Sequence, residues 1–284
     1  KTMIRLIQLE WLKIYNYKVA RIFILLYCLF LFGLIMLGTQ KFSLAGKEID
    51  LVKEGIFNFP QIWNFTTYFT ALIKVFLAFI IITTVVNEFQ NGTFKQNVID
   101  GLSRKEFLLS KIYTIVILSL VSTILVFVFS FIFGLKYNTI TNPDYRFAEI
   151  GFLVGYFVKL VAFMMLALFL SIIIRKSAFT FILLFLWWFA EKIVNGIEKW
   201  ATMNMFEQSP QAVINKVVIS DYLPLTSMSN IIPIPVARLS TIQALMGQGK
   251  DIAAEIPWNH IGMCCIYAVL FGFLSYRVLL KKDW

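Results

Sequence analysis

The sequence predicts an all-α integral membrane protein with six transmembrane helices. Hydrophobic residues make up 59% of the 284 residues and charged residues only 15%, whereas a soluble domain has about 25% charged residues. The mean hydropathy is +0.78. The apolar residues form long runs without the period-2 alternation of barrel strands, so the spans are predicted to be helical. The six predicted spans cover residues 19–38, 63–86, 112–135, 150–174, 178–194 and 258–280.

The distribution of Lys and Arg predicts that both termini lie in the cytoplasm. Basic residues are more numerous in the segments on the same face of the membrane as the N-terminus than in those on the opposite face. Basic residues favour the cytoplasmic face. The net charge of +10 then reflects the inner membrane surface, so it does not require a nucleic-acid partner. The first apolar run is long and has no small-residue cleavage site, which predicts a true span and no signal peptide. We expect an integral protein of a bacterial cytoplasmic membrane.

Residues 1–18 predict a basic amphipathic helix. Ile7, Trp11 and Ile14 share one face, and Lys13 lies on another. A basic helix that carries a tryptophan is suited to the headgroup region of a bilayer. We therefore expect this segment to lie along the inner leaflet, in contact with membrane lipids, before the first span.

The segment 88–111, between the second and third spans, carries an unusual density of charge for this chain. Asn91-Gly92 predicts a turn, and Thr93 is a candidate N-cap of a short helix. Phe94 and Val98 recur at helical spacing and would form one apolar face. A compact charged helix between two spans is typical of a docking surface for a soluble partner. The alternative is an ordinary amphipathic connector.

Two lysines lie inside predicted spans, Lys74 in the second and Lys159 in the fourth. A lysine exposed to lipid at mid-membrane costs at least about 2.5 kcal/mol, so both should face protein or water. They are candidate polar positions on a translocation path or at a subunit interface. The alternative is that each is a structural lysine that is paired or reaches the membrane surface.

The segment 195–257 is predicted to form an outer helical layer or re-entrant cap between the fifth and sixth spans. Short amphipathic helices are predicted near 197–205, 212–219 and 236–246. Pro224 and Pro233 would interrupt the middle of the segment. The predicted helices are too short to span a bilayer.

The sequence contains none of the motifs that would predict catalysis. The phosphate-binding loop, the serine nucleophile elbow and the paired-histidine zinc motif are all missing from it. A single histidine without a cluster of acidic or thiol ligands does not make a usual zinc site. We therefore expect a protein that is not an enzyme and binds no metal or cofactor, with any ATP handled by another polypeptide.

The order of residues in 88–111 resembles the permeases of the ABC-2 type, which are six-span transmembrane subunits of ATP-binding-cassette transporters. An acidic residue is followed by Gly-Thr, a short helix, Gly-Leu-Ser-Arg, an aromatic-leucine pair and a lysine. The basic N-terminal helix and the six spans match the same layout, although the outer segment is longer than the family's usual re-entrant hairpin. By this resemblance the coupling region that docks on the ATPase comprises Glu88, Gly92, Thr93, Phe94, Val98, Arg104, Lys105 and Lys111.

The resemblance implies a single transmembrane permease domain over residues 1–284 and a cytoplasmic ABC ATPase partner that binds ATP and Mg²⁺. It also implies a second permease subunit, identical or related, and export of a hydrophobic or amphipathic substrate such as a lipid, peptide or drug. Two alternatives are open. One is an ATP-independent secondary transporter or channel that uses Lys74 and Lys159 as ion sites. The other is a membrane immunity or scaffold protein.

Overall fold

The structure, a computed structural model, describes residues 2–44, 47–139, 146–208, 218–235 and 255–281. The elements on the N-terminal side are α1 Thr2–Asn16, α2 Lys18–Gly38, β1 Lys41–Leu44, β2 Lys47–Asp50, α3 Gln61–Leu72, α4 Lys74–Gln90 and α5 Thr93–Ile99. They are followed by α6 Arg104–Tyr137, α7 Gly151–Ile174, α8 Ser177–Gln208, a 3₁₀ turn Ile219–Tyr222, α9 Pro224–Asn230 and α10 Trp258–Lys281. The prediction of a mainly helical membrane protein is confirmed. The antiparallel pair β1–β2 in the first outer loop was not predicted.

Five described helices are long and apolar enough to cross a membrane, namely α2, α6, α7, α8 and α10. Helices α3 and α4 pass the same test only as a pair, which is bent by 41°. The described part of the chain therefore contains five candidate spans, or six if the bent pair is one span.

The predicted second span, 63–86, is not one continuous helix. It is interrupted at Ile73, whose φ of −87° and ψ of 4° lie outside the helical range. Threonine hydroxyl groups in the turns before the break donate to carbonyl oxygens one turn earlier, as Thr66 does to Ile62 and Thr70 does to Thr66. Such bonds compete with the helical ladder and bend helices. The apolar run itself gives no sign of this interruption.

The predicted fifth span, 178–194, continues well beyond its expected end. Helix α8 runs without a break to Gln208, so the separate helix expected near 197–205 is the second half of α8. The chain then returns as the 3₁₀ turn and α9, which contacts α7, α8 and α10. Most of the predicted helix at 212–219 and all of that at 236–246 lie outside the described residues.

Helix α7 is the centre of the molecule. Two thirds of its apolar window, 67%, is buried, compared with 17–28% for the other single-helix spans. It contacts α3, α4, α6, α8, α9 and α10. The surrounding helices expose large apolar side chains, among them Leu25, Leu120, Phe185 and Val269. These outward faces are suited to contact with lipid or with another membrane subunit.

Candidate functional site

The connector between α4 and α6, residues 91–103, is a seven-residue helix between two glycine turns. Gly92 has a φ of +70° and Gly101 a φ of +96°, a left-handed conformation that glycine adopts without steric cost. Gly92 occupies the N-cap position of α5, so the prediction that Thr93 caps this helix is wrong. The Thr93 hydroxyl instead donates to the carbonyl oxygen of Glu88, 3.2 Å away, and so satisfies the end of α4.

The start of α6 is fixed by a capping box that was not predicted. The Glu106 backbone N–H donates to the Ser103 hydroxyl at 3.1 Å, and the Ser103 backbone N–H donates to the Glu106 carboxylate at 2.9 Å. The spacing Ser-x-x-Glu before an apolar run is the signature of this motif and would have identified it. The capping box gives α6 a defined first turn directly after the connector.

The apolar face of α5 points into the protein. Phe94 is 2% exposed. Its ring lies 5.0 Å from that of Phe89 in α4 and 4.8 Å from that of Phe107 in α6, measured between centroids. The prediction that Phe94 offers an apolar contact to a partner is therefore wrong, because the ring is already covered. The exposed apolar side chains are Val98 and, above all, Ile99, which is 84% exposed and was not predicted.

The basic residues at the start of α6 have different roles. The Arg104 guanidinium donates at 3.0 Å to the carbonyl oxygens of both Leu279 and Leu280, which lie in the last turn of α10. A cation at a helix C-terminus is favourable because the carbonyl groups there lack partners. Lys105 is exposed to solvent. Arg104 thus ties α6 to α10, and Lys105 is free to meet a partner.

Glu88 and Lys111 belong to a buried ion cluster and not to the exposed surface of the connector. The Lys111 ammonium, 1% exposed, contacts the carboxylates of Glu88 and of Glu10, the latter at 2.6 Å. The Lys13 ammonium lies 3.1 Å from each of the same carboxylates, and the Ser110 hydroxyl donates to Glu10 at 3.1 Å. The two acids and two bases balance and join α1, α4 and α6. Glu10 was not predicted, and no pattern within α1 marks it.

The ionisation of Glu10 links stability to pH. Burial raises the pKa of its carboxyl, but the charges and hydrogen bonds of Lys111 and Lys13 together lower it by more. The net pKa therefore lies below the ordinary value of 4.5. A depressed folded-state pKa means that the carboxylate contributes stability that is fully present above pH 4.5 and is lost as the pH falls through the folded-state value. We expect the thermal midpoint in detergent to fall on acidification in that range.

Glu10→Gln should remove this part of the acid dependence, because the amide does not titrate there. It should also lower the midpoint at neutral pH, since a charged partner of Lys111 is lost. Midpoints of the two proteins measured across the acid range test the assignment. If the thermal midpoints of the two proteins fell in the same way as the pH is lowered, the assignment would be contradicted.

The two intramembrane lysines line one cavity of about 620 Å³. Its walls come from α3, α4, α7, α8 and α9 and from the residues that follow α9. The Lys74 ammonium lies 4.4 Å from the centroid of the Phe163 ring, and Lys159 is 5% exposed. Both lysines therefore border protein and a shared cavity, as expected from the cost of exposing a lysine to lipid.

The described residues include no group of three His, Cys, Asp or Glu side chains that could hold a metal ion. The contacts of His260 indicate a structural role. Its Nδ1 lies 3.2 Å from the Ser227 hydroxyl, and its ring stacks on Tyr222. The candidate site therefore has two parts. One is the connector, residues 91–103, and the other is the cavity lined by Lys74 and Lys159.

Comparison with known proteins identifies the family of the chain. No curated protein matches it significantly. A protein-family model described as "ABC-2 family transporter protein" matches residues 6–191, which include the ion cluster, the connector and both intramembrane lysines. The match covers well over half of the chain and agrees with the resemblance drawn from residues 88–111. The chain belongs to the ABC-2 family of transporter proteins.

Proposed function

We propose that this chain is the permease subunit of an ABC exporter, driven by ATP that a separate cytoplasmic ATPase hydrolyses. As a member of the ABC-2 family it is a membrane component of a transporter. The observation that carries the proposal is the connector, whose inner side is held by Phe94 while Val98, Ile99 and Lys105 are exposed on the outer side. A loop that only joined two spans would not require a buried aromatic contact on one side and exposed apolar and basic residues on the other.

The supports of the connector suit it to transmit force. Phe94 attaches α5 to α4 and α6, Arg104 attaches α6 to α10, and the cluster around Lys111 attaches both α4 and α6 to α1. A displacement of α5 would therefore move several helices together. For ATP to drive transport, the ATPase must bind this surface differently in its two nucleotide states. In this proposal ATP and Mg²⁺ are bound entirely by the ATPase.

A cleft beside α5 adds to the proposed docking surface. It has a volume of about 390 Å³. Its lining includes four carboxamide side chains, from Asn16, Asn87, Asn91 and Asn97. Carboxamides both donate and accept hydrogen bonds, so the cleft suits a polar loop of a soluble partner. The excess of basic residues on this side of the predicted spans supports a cytoplasmic location for the whole surface.

The exposed apolar faces of the outer helices support a second permease subunit, identical or related, with membrane lipid covering the remainder. A pathway between two subunits, or within each, would suit a hydrophobic or amphipathic cargo. Six spans with both termini in the cytoplasm complete the proposed arrangement.

The docking proposal is tested by co-purification of the chain with its ATPase. Ile99→Asp combined with Lys105→Glu should reduce recovery of the ATPase by at least about tenfold, because an apolar anchor and a cation are lost from the same surface. Both side chains are exposed, so the thermal midpoint of the permease should change little.

The matched control is Ile219→Asp combined with Lys53→Glu, which makes the same chemical changes at exposed positions on the predicted outer side. Recovery of the ATPase should be normal in this variant. Equal recovery with both double variants would show that α5 is not the docking site.

The cavity lined by Lys74 and Lys159 also supports an alternative function, that of a carrier that needs no ATP. Purified chain reconstituted alone into liposomes distinguishes the two. Uptake or release of an anionic solute by the isolated chain without ATP would support the carrier and would count against an obligate ATPase.

A further inference from the structure

The cavity beside Lys159 combines an apolar lining with three cations. Most of its wall is aliphatic or aromatic, including Phe163, Phe181, Phe185 and Trp188. Among the described residues of the lining, the charged ones are Lys74, Lys159 and Lys192, and none is acidic. The volume of about 620 Å³ lies within the range of about 300–1,000 Å³ that is usual for small-molecule sites.

The positive charges of the three lysines repel one another, and no carboxylate among the described residues is paired with any of them. Lys159 experiences the positive charge of both Lys74 and Lys192. Within the part of the chain that the structure describes, none of the three forms an ion pair or a hydrogen bond to a side chain. Of the three, Lys159 is buried, Lys74 is half-buried and Lys192 is exposed. A buried charge is normally paired or neutralised, so an anion in the cavity would stabilise the charged form of Lys159.

The break in the bent pair contributes to the same site. Lys74 is the first residue of α4, a helix of 17 residues, so the positive end of the helix lies at the cavity wall. A helix N-terminus carries partial positive charge and unpaired N–H groups, which favour an anion. The buried and unpartnered Lys159 independently indicates the same kind of ligand.

One wall of the cavity is a re-entrant segment that is firmly held. The Glu191 carboxylate, 5% exposed, accepts hydrogen bonds from the backbone N–H groups of Leu225 and Thr226 at 3.2 and 2.8 Å. The Asn64 side chain donates to the carbonyl oxygen of Pro233 at 3.2 Å. Glu191 thereby caps α9 and holds it against α8.

We propose that this cavity binds an anionic amphiphile, a molecule with a single carboxylate or phosphate head group and a hydrophobic tail. The head group would lie between Lys74 and Lys159, and the tail would lie against the aromatic wall. As a statement about the cargo of the transporter, this rests on the proposed function. Binding itself is a property of the isolated chain and needs no ATPase.

The experiment titrates the purified full chain, in a neutral detergent, with ω-bromododecanoate, ω-bromododecyl phosphate and ω-bromododecanol. Bromine quenches tryptophan fluorescence at short range, and Trp188 lines the cavity. The two acids should bind at least about tenfold more tightly than the alcohol, because the charge-assisted contact is available only to them. Trp188→Phe should remove most of the quenching that depends on the acidic group.

Lys159→Met and Lys74→Met should each reduce the preference for the acids to near unity, since methionine keeps most of the side-chain volume without the charge. Lys136→Met, at an exposed position on α6, is the control and should keep the preference. Elution volume and thermal midpoint confirm that each variant is folded. Equal affinity for acid and alcohol in the unmodified protein, or an undiminished preference in Lys159→Met, would overturn the proposal.

Further arms identify the source of the head group and separate this proposal from the docking proposal. Displacement of the brominated acids by phosphatidylglycerol would identify a bilayer lipid as the occupant, and resistance to it would identify a free amphiphile. Displacement by an acidic peptide instead of either would overturn the assignment to a lipid-like ligand. The Ile99→Asp, Lys105→Glu variant should still bind the acids, and Lys159→Met should still recover the ATPase.

Discussion

Lys111→Met is expected to lower the free energy of unfolding by about 3–5 kcal/mol, the cost of removing one partner from a buried ion pair. Lys111 is 1% exposed and contacts both Glu10 and Glu88. Without it, two carboxylates lie close together with only Lys13 to balance them. The measurement is the thermal or denaturant midpoint of the chain in detergent.

Two further variants make this prediction specific. Lys105→Met, an exposed lysine on the same helix, should change the free energy of unfolding by no more than about 0.5 kcal/mol. Lys111→Met combined with Glu88→Gln leaves Glu10 and Lys13 as a balanced pair, so it should be more stable than Lys111→Met alone. A double variant that is less stable than the single one would contradict the role assigned to charge balance.

Phe94→Ala is expected to have the second large effect, about 3–5 kcal/mol, the usual cost of deleting a buried aromatic side chain. The ring is enclosed by Phe89 and Phe107, and α5 has only seven residues, too few to be stable without that contact. The loss should therefore appear as local opening of the connector. Hydrogen–deuterium exchange of residues 93–102 is the direct measurement.

Ile99→Ala is the matched control, because its side chain is 84% exposed and should leave exchange unchanged. The comparison also separates two ways to lose the ATPase. Phe94→Ala should lose it with fast exchange in the connector, whereas the Ile99→Asp, Lys105→Glu variant should lose it with normal exchange. Slow exchange in Phe94→Ala would show that the ring does not support α5.

The connector illustrates how far a local pattern can be interpreted. Asn91-Gly92 predicts a turn because glycine readily adopts a positive φ, and the structure has such a glycine turn at Gly92 and a second one at Gly101. The amphipathic pattern of Phe94 and Val98 predicts an apolar face, but it does not say whether that face meets the protein or a partner. The rings that cover Phe94 lie on α4 and α6, and their placement depends on how those helices pack.

The membrane spans show a similar division. Uninterrupted apolar runs predict α7 and α10 because a chain in lipid must satisfy its backbone hydrogen bonds internally. The hydropathy of the apolar run does not mark the break at Ile73, and the polar residues after 194 do not show that α8 continues to Gln208 instead of ending before a second helix. Both depend on hydrogen bonds and packing that the run of apolar residues does not encode visibly.

The sequence by itself determined that this is a helical membrane protein and which segment resembles an ABC-2 coupling region. These properties follow from local composition and spacing. Only the tertiary structure decided that Glu10 pairs with Lys111, 101 residues away, that Ile99 and not Phe94 is exposed, and that Lys74 and Lys159 line one cavity. The physical reason is that each of these depends on which helices lie side by side, and charges or apolar faces far apart in the chain acquire partners only when the helices pack.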